Sequence, residues 1–261
     1  VSPAANGPCA SRQNWVPAFA GMHGNKMAEI ETFPIIEAWA ATIAGRLEET
    51  LAAAVLANGR ALFACPGGAT PSPVYARLAQ ADIGWDKIAV TLVDERYVPE
   101  TDPESNARLI KAVLLQGPAS RATFIPLYHS EVTVDRAAAV AAHGLAAAGE
   151  RFDAVLLGLG EDGHICSMFP GSPTLKTLLS PTLKPTVLGV PHGRDGMAPS
   201  LERISINLPY LMSAGRVILG LKGAAKRSVF EREAQGDPAV QPIAAMNAAK
   251  VPLEIVWTEA N

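Results

Sequence analysis

The fold of this chain is constrained most by its short, uninterrupted runs of hydrophobic residues, which alternate with segments of helical pattern. Such runs lack the polar alternation of a strand that has one face in water, so they are typical of strands buried on both faces of a parallel sheet. The sequence therefore predicts an α/β fold with a mainly parallel sheet that helices cover on both faces. The predicted strands span residues 60–65, 87–93, 152–160, 185–191, 203–208, 216–223 and 253–258, and the predicted helices span 34–56, 71–80, 104–115, 135–148 and 223–235.

Composition and charge narrow the class of protein. Of the 261 residues, 49% are hydrophobic and 18% are charged, which is typical of a globular chain and not of a disordered one. The formal net charge is −3, so the chain lacks the concentrated positive charge that nucleic-acid or membrane-surface binding needs. No apolar run approaches the roughly 20 residues of a transmembrane helix. The three cysteines form no CxxC pair, so we expect no structural zinc site, no disulfide framework and a cytoplasmic location.

The first 26 residues differ from the rest of the chain. They show neither helical nor strand periodicity, and they lack the basic and apolar regions of a signal peptide. An ordinary protein start follows at Met27. We expect residues 1–26 to be a disordered extension or an upstream translated segment, and residues 27–261 to form a single α/β domain.

Three polar or glycine-rich clusters directly follow predicted strands. They are the GGATP sequence at 67–71, the DER sequence at 94–96 and the GEDGH sequence at 160–164. The carboxyl ends of parallel strands meet at one edge of a sheet, and ligands bind beyond that edge. We therefore expect the three clusters to converge on one crevice.

Two of these clusters and one further lysine suit the binding of an anion. The turn with Gly67, Gly68 and Thr70 offers backbone N–H groups and a hydroxyl before a helix, although a plain tight turn has the same pattern. Arg96 can hold a phosphate or carboxylate through two parallel hydrogen bonds, or it can form an ordinary ion pair at a strand end. Lys226 lies in the first turn of a predicted helix, where a cation suits an anionic substrate, and a plain surface lysine is the alternative.

His164 is the candidate general base. It lies on a glycine-flanked loop after a strand, with Asp162 two residues before it, and histidine is the usual general base near neutral pH. A purely structural histidine is the alternative. Cys166 lies close by, but it adjoins an apolar run, so we expect its thiol to be packed and not to act as a nucleophile.

Several cofactor and catalytic motifs are incomplete or missing. Residues 158–163 match GxGxxG, but Pro170 and Pro173 follow where a dinucleotide site needs a helix. The required acidic residue is also missing, because no Asp or Glu occurs between His164 and Arg194. No GK[ST] follows the glycine turn, and the sequence contains no GxSxG or HExxH motif. We therefore expect no cofactor, and any hydrolysis to proceed without a metal.

Five motifs follow one another along the chain: CPGGATP (65–71), VDERYVPETDPESN (93–106), FDAVLLGLGEDGHICSMFPGSP (152–173), RISINLPYL (203–211) and GLKGAAKRSVF (220–230). Together they resemble the 6-phosphogluconolactonase family, within the larger glucosamine-6-phosphate isomerase/deaminase-like group. The resemblance implies a three-layer α/β/α sandwich with a modified Rossmann-like sheet. It also implies hydrolysis of 6-phospho-D-glucono-1,5-lactone to 6-phospho-D-gluconate, in the oxidative branch of the pentose phosphate pathway, without a cofactor.

The resemblance also implies roles for individual residues. His164, in the DGH motif, matches the base that activates water against the lactone carbonyl, and Asp94 and Asp162 are expected to orient Arg96 or His164. Arg96 and Lys226 match basic positions near the phosphate. The full set of substrate-binding residues so implied is Gly67, Gly68, Thr70, Asp94, Arg96, Arg203 and Lys226.

Two alternatives to the lactonase remain. The lactonases usually carry Thr-Ala after DGH, and Ile165 in this chain is closer to the aminosugar-phosphate isomerases/deaminases. The FNEP sequence of those deaminases is absent from this chain. The deaminases also have their own arrangement of Asp, Glu and an aromatic residue, and this chain has Arg96 at that place instead, so the lactonase is favoured. The second alternative is a non-catalytic sugar-phosphate sensor, but residues 1–26 are too short and too rich in proline and glycine for a helix-turn-helix. We expect a sugar-phosphate lactone as the ligand, no nucleic acid or membrane partner, and a monomer or small homo-oligomer.

Overall fold

The computed structural model describes residues 29–193 and 198–260. The predicted extension at residues 1–26 lies outside the described residues. Ten strands lie within the described part of the chain. They are β1 (Ile30–Phe33), β2 (Ala61–Cys65), β3 (Ile88–Leu92), β4 (Asp94–Arg96), β5 (Thr123–Phe124), β6 (Ala154–Leu157), β7 (Val187–Val190), β8 (Arg203–Ile206), β9 (Arg216–Lys222) and β10 (Leu253–Thr258).

Seven of these strands form a central sheet in the order β1-β10-β9-β6-β2-β3-β5. Every pair of neighbours in it is parallel. The strands β2 and β6 in the middle of the sheet are buried along their whole length, which explains their uninterrupted hydrophobic sequences. The mainly parallel sheet predicted from the sequence is therefore confirmed.

Helices cover the central sheet on both faces and complete a three-layer α/β/α sandwich. The longest helix, residues 36–58, buries a stripe that includes Trp39 and Ile43, and the Trp39 indole N–H donates to the carbonyl of Val256 at 3.0 Å. Within the described ranges, no helix is both long and apolar enough to cross a membrane. The helices are α1 (Ile36–Asn58), α2 (Ser72–Leu78), α3 (Asn106–Val113), α4 (Val134–Ala148), α5 (Leu175–Leu178), α6 (Leu208–Ser213), α7 (Ala224–Glu233) and α8 (Pro242–Ala248).

A second, antiparallel sheet of three strands has the order β4-β8-β7. The sequence predicts β7 and β8 as strands but does not separate them from the parallel sheet, and it treats residues 94–96 only as a charged strand end. The chain leaves β3 at Val93, whose N–H donates to the carbonyl of Cys65 and whose carbonyl accepts from the N–H of Ile206. Residues 94–96 then pair with β8, which aligns Arg96 with Arg203. The small sheet therefore brings two arginines to the carboxyl-end edge of the central sheet.

Candidate active site

A cleft of about 230 Å³ lies where the loops after β2 and β6 meet the small sheet and the start of α7. The structure brings eight of the nine predicted site residues to the lining of this cleft, and Asp162, the ninth, contacts the cleft residue His164. The three sequence clusters therefore meet in one place. The eight lining residues are Gly67, Gly68, Thr70, Asp94, Arg96, His164, Arg203 and Lys226.

The glycine loop after β2 fits tightly against α3. A Cβ on Gly67 would lie 1.8 Å from the side-chain oxygen of Asn106, so no larger residue fits there without displacing that side chain. The Asn106 carboxamide in turn donates to the carbonyl of Asp94 at 2.9 Å. Gly68 has a φ of +83°, a left-handed conformation that glycine adopts without strain. Among the described residues, no backbone acceptor is found for the N–H groups of residues 67–70, so these groups are available to a ligand.

Two arginines form the second wall of the cleft. Arg96 and Arg203 are paired in register across β4 and β8, and the Nε atom of each is buried without a hydrogen-bond partner in the described structure. Arg96 donates through Nη1 to the carbonyl oxygen of Glu104 at 2.5 Å. Burial lowers the pKa of Arg203, the carboxylate of Asp94 raises it in part, and the neighbouring Arg96 lowers it further. An anion between the two guanidinium groups would supply the missing acceptors and reduce their repulsion.

The Asp94 side chain connects the arginine wall of the cleft to the loop after β6. Its carboxylate accepts from the Ser167 hydroxyl at 2.6 Å and lies 3.9 Å from Nη1 of Arg203. The backbone N–H of Ser167 also donates to the Ser205 hydroxyl at 3.1 Å, which ties the loop to β8. From the sequence, Asp94 is expected to orient Arg96 or His164. The side-chain contacts found for it in the described structure are to Ser167 and Arg203.

Glu95 has a structural role that the sequence did not reveal. It is fully buried, and its carboxylate accepts from the backbone N–H groups of Arg96, Asn106 and Ala107 at 2.7–2.8 Å. Burial raises the pKa of Glu95, and these hydrogen bonds lower it in part. Glu95 therefore fixes the start of α3, and with it Asn106, against β4.

His164 and Asp162 form a hydrogen-bonded pair on the loop after β6. The Nδ1 atom of His164 lies 2.5 Å from Oδ1 of Asp162. Partial burial raises the pKa of Asp162, but the hydrogen bond to His164 and the charge of the imidazole outweigh this, so the pKa of Asp162 lies below its ordinary value. A Cβ on Gly160 would lie 2.2 Å from Nδ1 of His164, so the pair requires a glycine there. With Nδ1 engaged, Nε2 is the nitrogen left to act on a ligand in the cleft.

Cys166 lines the cleft but is 6% exposed. Burial raises the pKa of its thiol well above the ordinary value, and the charge of Asp94 raises it further. A thiol is nucleophilic as its thiolate, so this environment suits packing and not nucleophilic catalysis.

Lys226 approaches the cleft from α7. It is the third residue of the helix, whose first N–H groups have no partner within the helix. Burial lowers the pKa of Lys226, Glu161 raises it in part, and Lys222 lowers it further. Lys226 therefore adds a partly desolvated cation to the two arginines.

The described residues offer no arrangement suited to a dinucleotide or a metal ion. The loop at 158–163 does not lead into a helix, since the next helix, α5, begins at Leu175. Within the described part of the chain, no group of three or more His, Cys, Asp or Glu side chains is placed to hold a metal ion.

Comparison with known proteins gives a consistent result. Residues 35–257 match the family described as glucosamine-6-phosphate isomerases/6-phosphogluconolactonase. The chain is 41% identical over 209 residues to a 6-phosphogluconolactonase of Caulobacter vibrioides, a match that covers 80% of this chain and 88% of the relative. It is 38% identical over 232 residues to a 6-phosphogluconolactonase of Rhizobium meliloti, with 88% and 98% covered. The crystal structure of a 6-phosphogluconolactonase from Shewanella baltica superposes with a TM-score of 0.82 at 31% identity and covers 89% of this chain and 98% of that one.

Proposed function

The chain belongs to the family of glucosamine-6-phosphate isomerases and 6-phosphogluconolactonases, and we propose that it hydrolyses 6-phospho-D-glucono-1,5-lactone to 6-phospho-D-gluconate. The observation that carries this proposal is the cleft itself, which combines three cations with a histidine–aspartate pair. A phosphorylated lactone has the matching features, a dianion at one end and an electrophilic carbonyl at the other. We place the reaction in the cytoplasm, in the oxidative branch of the pentose phosphate pathway.

The phosphate of the substrate would bind between Arg96, Arg203 and Lys226. The buried Nε atoms of the two arginines lack acceptors in the described structure, and phosphate oxygens can supply them. Gly67, Gly68 and Thr70 line the same cleft, and their N–H groups have no backbone acceptor among the described residues. Arg96, Arg203 and Lys226 supply positive charge in a protein whose net charge is negative. The attraction of the substrate is therefore local and does not depend on the overall charge.

His164 would act as the general base. Its Nε2 takes a proton from a water molecule, whose oxygen attacks the lactone carbonyl carbon and gives a tetrahedral oxyanion. Collapse of that intermediate breaks the bond between the carbonyl carbon and the ring oxygen, and the imidazolium holds the proton that the leaving oxygen requires. Asp162 keeps the imidazole in the correct tautomer and stabilises the imidazolium, as an ionised carboxylate does in a hydrolytic triad. Its lowered pKa keeps it ionised near neutral pH.

The proposed reaction needs neither a cofactor nor a metal ion. It transfers no electrons, and the residues of the cleft supply both the base and the cations. Arginine and lysine side chains neutralise the phosphate, a task that a divalent ion has in other sugar-phosphate and nucleotide sites.

The position of Ile165 in the structure is relevant to the deaminase alternative. Its side chain is fully buried in the hydrophobic core, so the resemblance of Ile165 to the deaminase motif concerns packing and not contact with a substrate. The curated relatives quoted above are 6-phosphogluconolactonases. We therefore favour the lactonase over the aminosugar-phosphate isomerase/deaminase.

One pair of assays tests the proposal. Acid release from freshly prepared 6-phosphogluconolactone is measured against the spontaneous rate, and ammonia release from glucosamine 6-phosphate is measured with the same protein. The His164→Ala variant serves as the control for contaminating activity. We expect acid release well above the spontaneous rate, loss of it in the variant, and no ammonia. Ammonia release, or acid release at the spontaneous rate only, would show that the proposal is wrong.

A further inference from the structure

The Phe169 ring contacts two residues that line the cleft, His164 and Arg203. Its ring centroid is 4.5 Å from that of the His164 imidazole, at an interplanar angle of 37°, and 5.7 Å from the guanidinium carbon of Arg203. Both distances lie within the range of favourable aromatic and cation–π contacts. We propose that Phe169 is a positioning residue that couples the binding of the substrate phosphate at Arg203 to the orientation of the His164 imidazole. This inference rests on the function proposed above.

The position of the Phe169 ring is well defined by its surroundings. Phe169 is 4% exposed, and the two residues before it, Ser167 and Met168, are fully buried. The hydroxyl of Ser167 is hydrogen bonded to Asp94, and the N–H of Met168 donates to the carbonyl of Ile165 at 2.9 Å. The ring is thus attached to a packed segment and is itself almost fully buried, which restricts its movement away from its two neighbours.

The imidazole of His164 needs such a contact. Its side chain is about one third exposed, and the hydrogen bond from Nδ1 to Asp162 fixes one atom of the ring. One hydrogen bond leaves the ring able to tilt about that atom, which would move Nε2 relative to a bound lactone. The face of Phe169 limits this tilt, and a misplacement of about 1 Å can lower the rate of a catalysed reaction on the order of 10²-fold.

Arg203 is the cation whose guanidinium contacts this ring. It is 3.9 Å from its ionic partner Asp94, which is longer than a hydrogen bond, and its Nε has no acceptor in the described structure. An anion bound at Nε would therefore draw the guanidinium into a defined position against Phe169. Binding energy from a remote part of a substrate can be used in this way to order the reacting centre.

The test divides the substrate into two pieces. The turnover of unphosphorylated D-glucono-1,5-lactone is measured with and without phosphite dianion, which occupies a phosphate site without being part of the substrate, and the spontaneous rate is subtracted. For the wild type we expect phosphite to raise kcat/KM for this lactone about tenfold or more. In Phe169→Leu we expect that activation to fall to less than twofold. On the intact phosphorylated lactone we expect the same variant to lose about tenfold in kcat with KM changed less than threefold.

A matched control separates this role from stability. Phe152→Leu makes the same substitution at a fully buried phenylalanine, which packs on Tyr210 with ring centroids 4.7 Å apart and does not line the cleft. Phe152→Leu should keep the phosphite activation even where its Tm falls as far as that of Phe169→Leu. Phe169→Met, which retains most of the side-chain volume but no ring, should lose the activation and provides a second variant if Phe169→Leu does not fold.

The outcomes distinguish this inference from the proposed function. Phosphite activation that persists in both Phe169 variants, or that is absent in the wild type, would overturn the coupling while hydrolysis of the phosphorylated lactone still supports the function. A wild-type protein without activity on the phosphorylated lactone would overturn the function itself. Loss of activation in the Phe169 variants, with retention in Phe152→Leu, supports the coupling.

Discussion

Arg96 and Arg203 lie opposite each other on antiparallel strands, and each has a buried Nε atom without an acceptor in the described structure. Like charges in directly opposed positions destabilise a sheet, and buried donors without partners add to that cost. Asp94 and Glu104 offset part of it through their ion pairs with the two arginines. The pair is therefore arranged for an anion that supplies the missing acceptors.

This pairing predicts a substrate-dependent loss on mutation. Arg96→Gln or Arg203→Gln should lower kcat/KM for the phosphorylated lactone about ten- to a hundredfold, because a hydrogen bond to a charged group contributes about 1.5–3 kcal/mol and tenfold corresponds to about 1.4 kcal/mol. Hydrolysis of unphosphorylated gluconolactone should change less than threefold. Arg121→Gln, at an exposed arginine outside the cleft, is the control. Equal losses on both lactones would contradict a role in phosphate binding.

The pair of His164 and Asp162 predicts a loss in turnover and not in binding. His164→Ala should lower kcat by roughly 10²–10⁴, the usual contribution of a general base, and should leave the affinity for 6-phosphogluconate nearly unchanged. Asp162→Asn should also lower kcat, because an amide can stabilise the wrong tautomer of the imidazole. His143→Ala, on the exposed face of α4, is the control. Retention of more than about a third of the wild-type kcat in His164→Ala would rule out this assignment.

The fold could be predicted from the sequence where strands are buried on both faces. The runs that became β2, β3, β6, β9 and β10 are apolar because the sheet encloses them. The sequence pattern does not indicate the edge strands β1 and β5, since they are short and contain polar or exposed positions. The sequence does not indicate a strand at 94–96 either, because these charged residues are stabilised by contacts with β8 and α3 that the local sequence does not show.

The candidate site could be predicted only in part, for a related reason. The sequence shows glycines, a histidine and arginines at the ends of predicted strands. The binding and acid–base chemistry of these residue types can be predicted without knowledge of their tertiary contacts. Asn106, Glu95 and Phe169 act through tertiary contacts: Asn106 packs on Gly67, Glu95 accepts backbone N–H groups, and Phe169 contacts His164. In the sequence, the apolar run around Phe169 indicates only burial. Their positions relative to the cleft follow from the way β4, α3 and the loop after β6 meet.

The close contact at Gly160 predicts a steric effect on the general base. Gly160→Ala would place a methyl group 2.2 Å from Nδ1 of His164, so the imidazole must move or the loop must shift. We expect kcat to fall by about 10²-fold, as for a small displacement of a reacting group. Gly45→Ala adds the same methyl group within α1, where nothing lies within 4 Å, and should leave kcat unchanged. Full activity in Gly160→Ala would show that the His164–Asp162 geometry is not required.

The buried thiol of Cys166 predicts resistance to thiol reagents. Because burial raises the pKa of this thiol, the reactive thiolate is scarce near neutral pH. Cys166→Ser should retain kcat within a few-fold, and treatment with a chelator should leave the activity unchanged. Both results are read from the rate of acid release. A dead Cys166→Ser variant together with rapid inactivation of the wild type by a thiol reagent would point to a nucleophilic cysteine.

The lowered pKa of Lys226 predicts that ligand binding weakens at alkaline pH. Burial, opposed in part by Glu161, brings the pKa of this lysine below its ordinary value of 10.5, so the positive charge is lost as the pH rises through that lowered value. The phosphate of 6-phosphogluconate is already dianionic above about pH 7, since its second pKa is near 6, and it contributes no change in that range. Titration calorimetry with 6-phosphogluconate from pH 7 into the alkaline range should therefore show affinity that declines as Lys226 loses its charge. In Lys226→Arg the guanidinium stays protonated and the affinity should remain flat across the same range. An alkaline decline of the same size in Lys226→Arg would assign the titration to another group and remove Lys226 from the phosphate site.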